Sequence, residues 1–288
     1  MALPIKKIYI DTKYKARDSV SNSNFKIDLP QTLMFPENSV FYIDDVSIPH
    51  SWYTVEENIN DKLFVMISRI MPDEDNSGTA YKIVTISPGI YNGTEIALEM
   101  QQKIRETIYN VQFPDILSVA YNNRKNTINI TINYTDWQFK ILTESDIATK
   151  LNDTWIGDNY DINNTHSIND IISNNNYLNS PFYTSATPYV GGLNLQPIRN
   201  IYIHSSLGNY NTLGARGETS IIKKVPVSSN SGDYIFDQVL VGNDFGDCSK
   251  QTLRTISFEL KNVSGDYINF HGSNLSFSII FSRMNPEM

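Results

Sequence analysis

The chain has 288 residues, of which 40% are hydrophobic and 19% are charged, and its formal net charge is −8. This composition is typical of a globular protein, because disordered chains carry fewer apolar residues and more charge. The pI near 5.0 argues against a protein whose main task is to coat nucleic acid, since phosphate binding requires a basic surface. We therefore expect no sequence-specific contact with nucleic acid.

Three features bear on the compartment. Cys248 is the one cysteine, so no intrachain disulfide can form, which fits synthesis in a reducing compartment. The first seven residues, MALPIKK, contain no long apolar run, and we expect no secretory signal. No apolar stretch approaches the roughly 20 residues that span a bilayer, so a membrane location is not expected.

Alternation of apolar and polar residues dominates the chain and predicts half-buried antiparallel strands, because successive side chains in a strand point to opposite faces. In the first of these segments, Phe25, Ile27 and Leu29 alternate with Lys26 and Asp28. The same alternation recurs over 128–132, 137–141, 256–260 and 275–281.

The strand predicted over 39–48 has a switch of parity. Phe41 and Ile43 share one parity, whereas Val46 and Ile48 share the other, and two adjacent aspartates lie between them. A β-bulge at the aspartates explains the switch, because a bulge inserts one extra residue into a strand. A strand that is buried on both faces is the alternative.

One segment has helical periodicity. Its apolar residues recur every four positions, which places them on one face of a helix; they are Ile96, Met100, Ile104 and Ile108. Asn92 followed by Glu95 forms the capping-box pattern at the start of this helix. A second, short helix is predicted over 146–151.

The order of these elements predicts a mostly β protein, a single jelly-roll β-sandwich with an inserted α+β domain that carries one clear helix. The first part of the jelly roll covers 1–58 and the remaining strands cover 198–288. Together these two parts offer about nine strands, which suffice for eight-stranded jelly-roll topology. The insertion, 59–197, reads strand, strand, helix and three strands, followed by an Asn-rich segment over 152–195 that we expect to be a surface excursion or a partly ordered insertion.

Enzymatic motifs are scarce. The spacing of His50, His166, His204 and His271 matches no zinc-binding pattern, and a packed or hydrogen-bonded role is favoured for each. No nucleophile elbow and no phosphate-binding glycine loop is present. The sequence therefore predicts no catalytic residue, metal site or cofactor.

Cys248 carries the one thiol of the chain and is therefore a candidate nucleophile. It lies close in sequence to Asp244 and Asp247. Negative charge disfavours the thiolate, so we expect a raised pKa and a thiol that is a poor nucleophile.

Seven residues are candidates for contacts with partner proteins. Tyr and Trp are common interface anchors and basic side chains reach acidic partners; the candidates are Tyr14, Arg17, Trp52, Tyr53, Arg216, Lys223 and Lys224. Packing at the rim of the core is the alternative for Trp52 and Tyr53, and an ordinary strand connection is the alternative for the loop with Arg216. Solvated charges at strand edges are the alternative for the lysines.

Several sequence blocks resemble the minor capsid proteins of Polinton (Maverick) elements and adintoviruses, and relatives in Polinton-like viruses and virophages are similar. The first block begins with IYIDTKYK at Ile8, and a later one reads PGIYNGTE from Pro88 into the helix. The blocks occur in order along most of the chain; they are 8–15, 19–29, 42–52, 88–95, 201–205, 213–218, 223–227, 253–265 and 271–281.

This resemblance implies a penton protein. Such a protein is a single jelly roll, five copies of which close an icosahedral vertex beside double jelly-roll major capsid proteins, and its location is the virion. The partners implied are further copies of the chain and the major capsid protein, without a small-molecule substrate. A glycan-binding or fibre-like surface module is the alternative, and an enzyme on a sandwich scaffold is the third hypothesis.

Overall fold

The structure is a computed structural model that describes residues 6–70, 79–108, 115–143, 146–147, 167–174, 181–207, 212–214, 217–238 and 245–283. The strands that precede the long helix are β1 Lys6–Asp11, β2 Asn24–Met34, β3 Ser39–Pro49, β4 Lys62–Arg69 and β5 Thr79–Thr85. The helices are α1 Gly93–Ile108 and α2 Asn169–Ile172, with a 3-10 turn at Thr12–Tyr14. The remaining strands are β6 Leu117–Asn122, β7 Thr127–Ile132, β8 Trp137–Ile141, β9 Tyr183–Thr184, β10 Tyr189–Gly192, β11 Asn200–Ser205, β12 Ile221–Pro226, β13 Tyr234–Gln238, β14 Gly246–Asp247, β15 Thr252–Lys261 and β16 Ser276–Arg283.

The chain divides into two units. The sandwich unit contains Met1–Trp52 and Ile198–Met288, and the insertion unit contains Tyr53–Pro197. Each unit has its own hydrophobic core. The limits 59–197 that we expected for the inserted domain remain a prediction.

Two antiparallel sheets form the sandwich unit. Sheet A has the strand order β1-β16-β3-β13, with short β14 also paired to β3. Sheet B has the order β12-β11-β15-β2. If β13 and β14 are counted as one strand, the unit has eight strands, which can be numbered one to eight along the chain. In this numbering the order of neighbouring strands is 1-8-3-6 in sheet A and 5-4-7-2 in sheet B. This is the strand order of a jelly roll, which confirms the predicted fold class.

The core of the sandwich unit lies between sheets A and B. The alternation that predicted the strands also determines which side chains enter it: Phe25 and Phe258 meet from neighbouring strands of sheet B, with ring centroids 5.3 Å apart. Phe277 of sheet A packs edge-on against Phe258 at 5.0 Å. Aromatic contacts of this geometry add to the stabilisation from apolar burial and fix how the two sheets face each other.

The parity switch in β3 is a β-bulge. Phe277 pairs with Val46 and Ile279 pairs with Ile43, so the two aspartates Asp44 and Asp45 face the single residue Ser278. The extra residue restores the inward direction of Val46 and Ile48, both of which are buried. Of the two interpretations that the sequence left open, the β-bulge is therefore confirmed.

The insertion unit contains two small sheets and the long helix. One sheet has the order β5-β4-β8-β9, and the other has the order β10-β7-β6. The predicted order of strand, strand, helix and three strands is confirmed by β4, β5, α1 and β6 to β8. Gln101 of α1 reaches the edge strand β6, where its amide donates to Leu117 O and accepts from Val119 N–H.

The start of α1 has the capping box that the sequence indicated. Asn92 Oδ1 accepts the N–H groups of Thr94 and Glu95, each at 3.0 Å. Glu95 Oε2 in turn accepts the N–H of Asn92 at 2.9 Å. These bonds satisfy backbone donors that have no partner within the helix.

The Asn-rich segment differs from its prediction where the structure describes it. Ile168, Ile171 and Ile172 are buried in the core of the insertion unit, as are Tyr189 and Leu193. These parts are core elements and not a surface excursion. Residues 151–166 and 175–180 lie outside the described residues, as does most of the predicted helix over 146–151, of which Asp146 and Ile147 are helical.

Candidate assembly surfaces

The outer face of sheet A carries exposed aromatic side chains at both edges. Tyr9 on β1 is 76% exposed, and Tyr234 and Phe236 on β13 are 52% and 71% exposed. The rings of Tyr234 and Phe236 stack with centroids 6.1 Å apart. Exposed aromatic residues that lie together on a sheet face are typical of protein contact sites.

Small hydroxyl side chains lie beside this aromatic pair. The backbone register places Phe236 opposite Ser47 of β3, and Ser47 opposite Ser276 of β16. We call Tyr234, Phe236, Ser47 and Ser276 the aromatic edge patch. Its four side chains are uncharged, so a partner can cover them without desolvating an ion.

The outer face of sheet B is charged. Glu259 Oε2 and Lys261 Nζ lie 2.6 Å apart, and the Tyr267 hydroxyl donates to Glu259 Oε1 at 2.6 Å. Burial opposes the ionisation of Glu259, but the hydrogen bonds from Lys261 and Tyr267 outweigh it and lower its pKa. The register brings Lys26 of β2 and Lys224 of β12 to the same face. Sheet A carries an ion pair as well, Lys7 with Asp44 at 2.9 Å, so it is the exposed, stacked aromatic pair on β13 that distinguishes its outer face.

A hydrogen-bonded loop closes one end of the sandwich unit. Asn22 Nδ2 donates to Ser273 O at 2.8 Å, and Lys15 Nζ donates to Asn22 Oδ1 at 2.7 Å. The Thr12 hydroxyl accepts the Leu275 N–H at 3.0 Å. Lys15 and Asn22 border a cleft of about 360 Å³.

Two of the predicted contact residues are internal. Trp52 is 2% exposed and packs against His50 and Phe270, with ring centroids 4.1 and 6.1 Å away. Lys223 lies opposite Ile203 of β11, which directs its side chain between the sheets, and its Nζ pairs with Asp237 Oδ2 at 2.9 Å. Trp52 therefore packs in the core and Lys223 forms an ion pair inside the unit, so neither side chain is exposed for contact with a partner.

The other predicted contact residues have different surroundings. Tyr14, Arg17 and Lys224 are exposed in the sandwich unit, and their contact roles remain predictions. Tyr53 is partly buried at the start of the insertion unit, where its N–H donates to Glu56 Oε1 at 2.9 Å. Arg216 lies outside the described residues.

The aromatic pair Tyr234 and Phe236 was missed by sequence reasoning. Its strand has five residues and a single buried apolar position, Ile235. The signal available was the alternation of Tyr234, Ile235, Phe236 and Asp237, but alternation does not reveal which parity faces a core. The pairing with β3 decides it, because Ile235 lies opposite the buried Ile48.

Two of the described histidines, His50 and His204, are packed side chains. His50 Nδ1 lies 2.9 Å from Ser229 O, and burial lowers the pKa of this ring. His204 Nδ1 lies 2.9 Å from Ser220 Oγ. Burial and the positive charge of Lys261 lower the pKa of His204. His271 is exposed, and His166 lies outside the described residues.

The thiol of Cys248 is fully buried, and burial raises its pKa to about 12 with a smaller contribution from Asp247. The expectation of a raised pKa is confirmed, although burial and not the carboxylate is the main cause. Within the ranges described above, no group of three or more His, Cys, Asp or Glu side chains is placed to hold a metal ion. The described helices include none that is both long and apolar enough to cross a membrane.

The strand order of the sandwich unit and the unit inserted between β3 and β11 define a single jelly-roll protein with an α+β insertion. No protein-family model and no curated protein matches the sequence. Among solved structures, the crystal structure of the mavirus penton protein matches 97% of this chain and 100% of its own chain, with a TM-score of 0.50 and 10% sequence identity. At this identity the similarity is one of fold, and it extends through both units.

Proposed function

We propose that the chain is a penton protein, a minor capsid protein of which five copies close an icosahedral vertex. The observation that supports the proposal is the fold similarity to the mavirus penton protein, which spans that whole chain and so includes the insertion as well as the jelly roll. The sequence blocks that resemble Polinton and adintovirus minor capsid proteins point the same way. A location in the virion follows from this role.

A cyclic pentamer needs two different contact surfaces on each copy, because a patch on one copy meets another patch on its neighbour. The sandwich unit offers an aromatic outer face on sheet A and a charged outer face on sheet B. The remaining surface of each copy contacts the double jelly-roll major capsid protein. These contacts are structural, and we assign no catalytic step, cofactor or substrate to the protein.

The chemistry of the described side chains is in keeping with a structural role. The buried thiol of Cys248 is protonated at neutral pH, since its pKa is about 12. The rings of His50 and His204 make hydrogen bonds within the sandwich unit. The hydroxyls of Ser231 and Ser220 lie within hydrogen-bonding distance of His50 Nε2 and His204 Nδ1, and we assign no catalytic role to either pair.

The test is the mass of the purified full chain across a concentration series, by native mass spectrometry and light scattering. A closed ring gives a discrete species at five times 32.8 kDa, whereas contacts that do not close give a growing series. Negative-stain images of the discrete species show five-fold rings if the proposal holds. The same series is repeated with the major capsid protein added, and rings that form only in that mixture also support the proposal.

A glycan-binding or fibre-like module is the outcome that contradicts this proposal. A stable trimer or dimer that retains a carbohydrate on a glycan array would favour it. Pentamers without a carbohydrate ligand exclude it.

A further inference from the structure

We propose that the aromatic edge patch and the edge of β13 that pairs with no other described strand form the surface on which a second copy of this chain docks. The inference deepens the proposed penton function and rests on it. It names the surface of the jelly roll that one copy offers to its neighbour.

The first observation is the exposure of the two aromatic rings. Tyr234 and Phe236 lie on the same face of β13 and stack on each other, so they form one apolar surface. A buried aromatic side chain removes roughly 150–250 Å² from water, and a stable interface buries about 800 Å² on each partner. The two rings therefore supply the centre of an interface, and Ser47 and Ser276 beside them carry no charge.

The second observation is that β13 lacks the lysine and proline that protect other edge strands, although it does contain one inward-pointing acid, Asp237. In proteins, the edge strands of sheets are protected from pairing with other chains by lysine, proline or inward-pointing charge. Three of the four edge strands of the sandwich unit contain lysine: β1 has Lys6 and Lys7, β2 has Lys26, and β12 has Lys223 and Lys224. The fourth, β13, has the sequence YIFDQ and carries neither lysine nor proline.

The third observation concerns charge and identifies the occupant as another copy of the chain. Each copy has a net charge of −8, so two copies repel each other over most of their surface. A patch without charge lets them approach without placing acidic side chains against each other, and the four residues of the aromatic edge patch carry no charge. Interfaces between identical chains are also richer in apolar and aromatic side chains than contacts with transient partners.

The acid on β13 does not weaken this argument. Asp237 pairs with Val46 in the register, so it lies on the inward face, and its carboxylate is neutralised by Lys223 at 2.9 Å. The charge is thus held away from the outer face where Tyr234 and Phe236 lie. The neighbour meets the aromatic rings and the backbone edge.

The experiment compares Phe236→Glu and Phe236→Lys with the wild-type protein. Both remove the ring, but they change the net charge in opposite directions, so an effect shared by both comes from the lost apolar contact. Val263→Glu and Val263→Lys are the matched controls, because Val263 is a 62% exposed apolar residue in a turn of the same unit. The readout is the concentration at which the pentamer dissociates, with circular dichroism to verify that each variant is folded.

We expect both Phe236 variants to raise the dissociation constant by about 30-fold or more, as at an interface hot spot, and both Val263 variants to leave it within about threefold. If the wild-type chain forms a pentamer and the Phe236 variants form it equally well, this inference is wrong and the penton proposal still stands. A wild-type chain that forms no pentamer alone or with the major capsid protein overturns both.

A cross-linking measurement gives a second, independent readout. Because Cys248 is buried, a cysteine introduced by Gln238→Cys is the single accessible thiol among the described residues, and it leaves both rings of the aromatic edge patch in place. A photoactivatable maleimide attached there should join two copies of the chain. Cross-links that form only within one copy, or only to the major capsid protein, contradict the inference.

Discussion

Lys223 of sheet B and Asp237 of sheet A form an ion pair that joins the edge strands β12 and β13, with Nζ and Oδ2 2.9 Å apart. The two partners differ in burial: the lysine side chain is 5% exposed and the aspartate side chain is 30% exposed. Water can therefore solvate Asp237 if it loses its partner, but it cannot solvate Lys223. The pair closes one edge of the jelly roll at the strand that carries the aromatic edge patch.

The unequal burial predicts unequal costs of removing each partner. Asp237→Asn leaves a buried ammonium group without a counter-charge and should lower the free energy of unfolding by about 2–4 kcal/mol. Lys223→Met keeps the aliphatic packing and leaves a carboxylate that water reaches, so we expect a loss of about 1 kcal/mol or less. Urea denaturation of both variants measures the difference.

Lys224→Met is the control for this pair, since the neighbouring lysine is exposed and should change stability by less than about 0.5 kcal/mol. Equal losses for Asp237→Asn and Lys223→Met would contradict the assignment of Lys223 to the space between the sheets.

The β-bulge in β3 gives a second prediction. Deletion of Asp45 removes the extra residue, so either Phe41 and Ile43 or Val46 and Ile48 must turn outward. Exposing two such side chains should cost at least about 3 kcal/mol, at 1.5–3 kcal/mol for each. Asp45→Ser keeps the residue count and should cost about 0.5 kcal/mol, because Asp45 is exposed. A deletion variant that unfolds at the same urea concentration as the substitution would show that the register does not depend on the bulge.

The capping box of α1 gives a prediction for the insertion unit. Asn92→Ala removes the acceptor for two backbone N–H groups and should cost about 1 kcal/mol. Glu95→Ala removes the reciprocal bond, and the double variant should lose less than the sum, since the two side chains act on one helix end. Leu98→Ala, on the exposed face of α1, is the control and should leave the melting temperature nearly unchanged. Strict additivity in the double-mutant cycle would argue against a coupled cap.

The thiol of Cys248 gives a prediction about alkaline pH. Its pKa in the folded protein is about 12, above the value of about 8.5 for a free cysteine, so the folded state keeps its proton at a pH where the unfolded state has lost it. The stabilisation is complete below the pKa of the unfolded chain and is lost as pH rises toward 12. Relative to Cys248→Ala, the wild-type free energy of unfolding should fall by about 1.4 kcal/mol per pH unit in that window.

A thiol reagent provides the check at lower pH. Wild-type protein should react with it at pH 8 only after denaturant unfolds the sandwich unit, because the thiol is both buried and protonated. Rapid labelling of the native protein would contradict the burial of Cys248.

Local sequence rules predicted the parts of this fold that depend on neighbouring residues. Period-2 alternation located the strands around Phe25, Ile130, Phe139 and Phe258, and the change of parity in β3 located the bulge. The pattern of Asn92 and Glu95 located the start of α1. Each of these signals arises within about ten residues, which is the range over which strand and helix periodicity is defined.

The features that sequence reasoning missed depend on pairing between distant segments. Lys223 was expected to contact a partner because nothing in its own strand reveals Asp237 on the other sheet. Trp52 follows a strand end, where exposure and burial are equally compatible with the local pattern, and Phe270 decides its burial. Ile168, Ile171 and Ile172 have helical spacing, but a single turn inside an Asn-rich segment gave too short a signal to identify a core element.

The most direct test of the penton proposal is the assembly state of the wild-type chain, measured by native mass spectrometry and negative-stain imaging, alone and with the major capsid protein. The proposal predicts a discrete species of five copies, each of 32.8 kDa, that appears as a five-fold ring. A stable dimer or trimer, or a monomer that forms no ring even beside the major capsid protein, would contradict it.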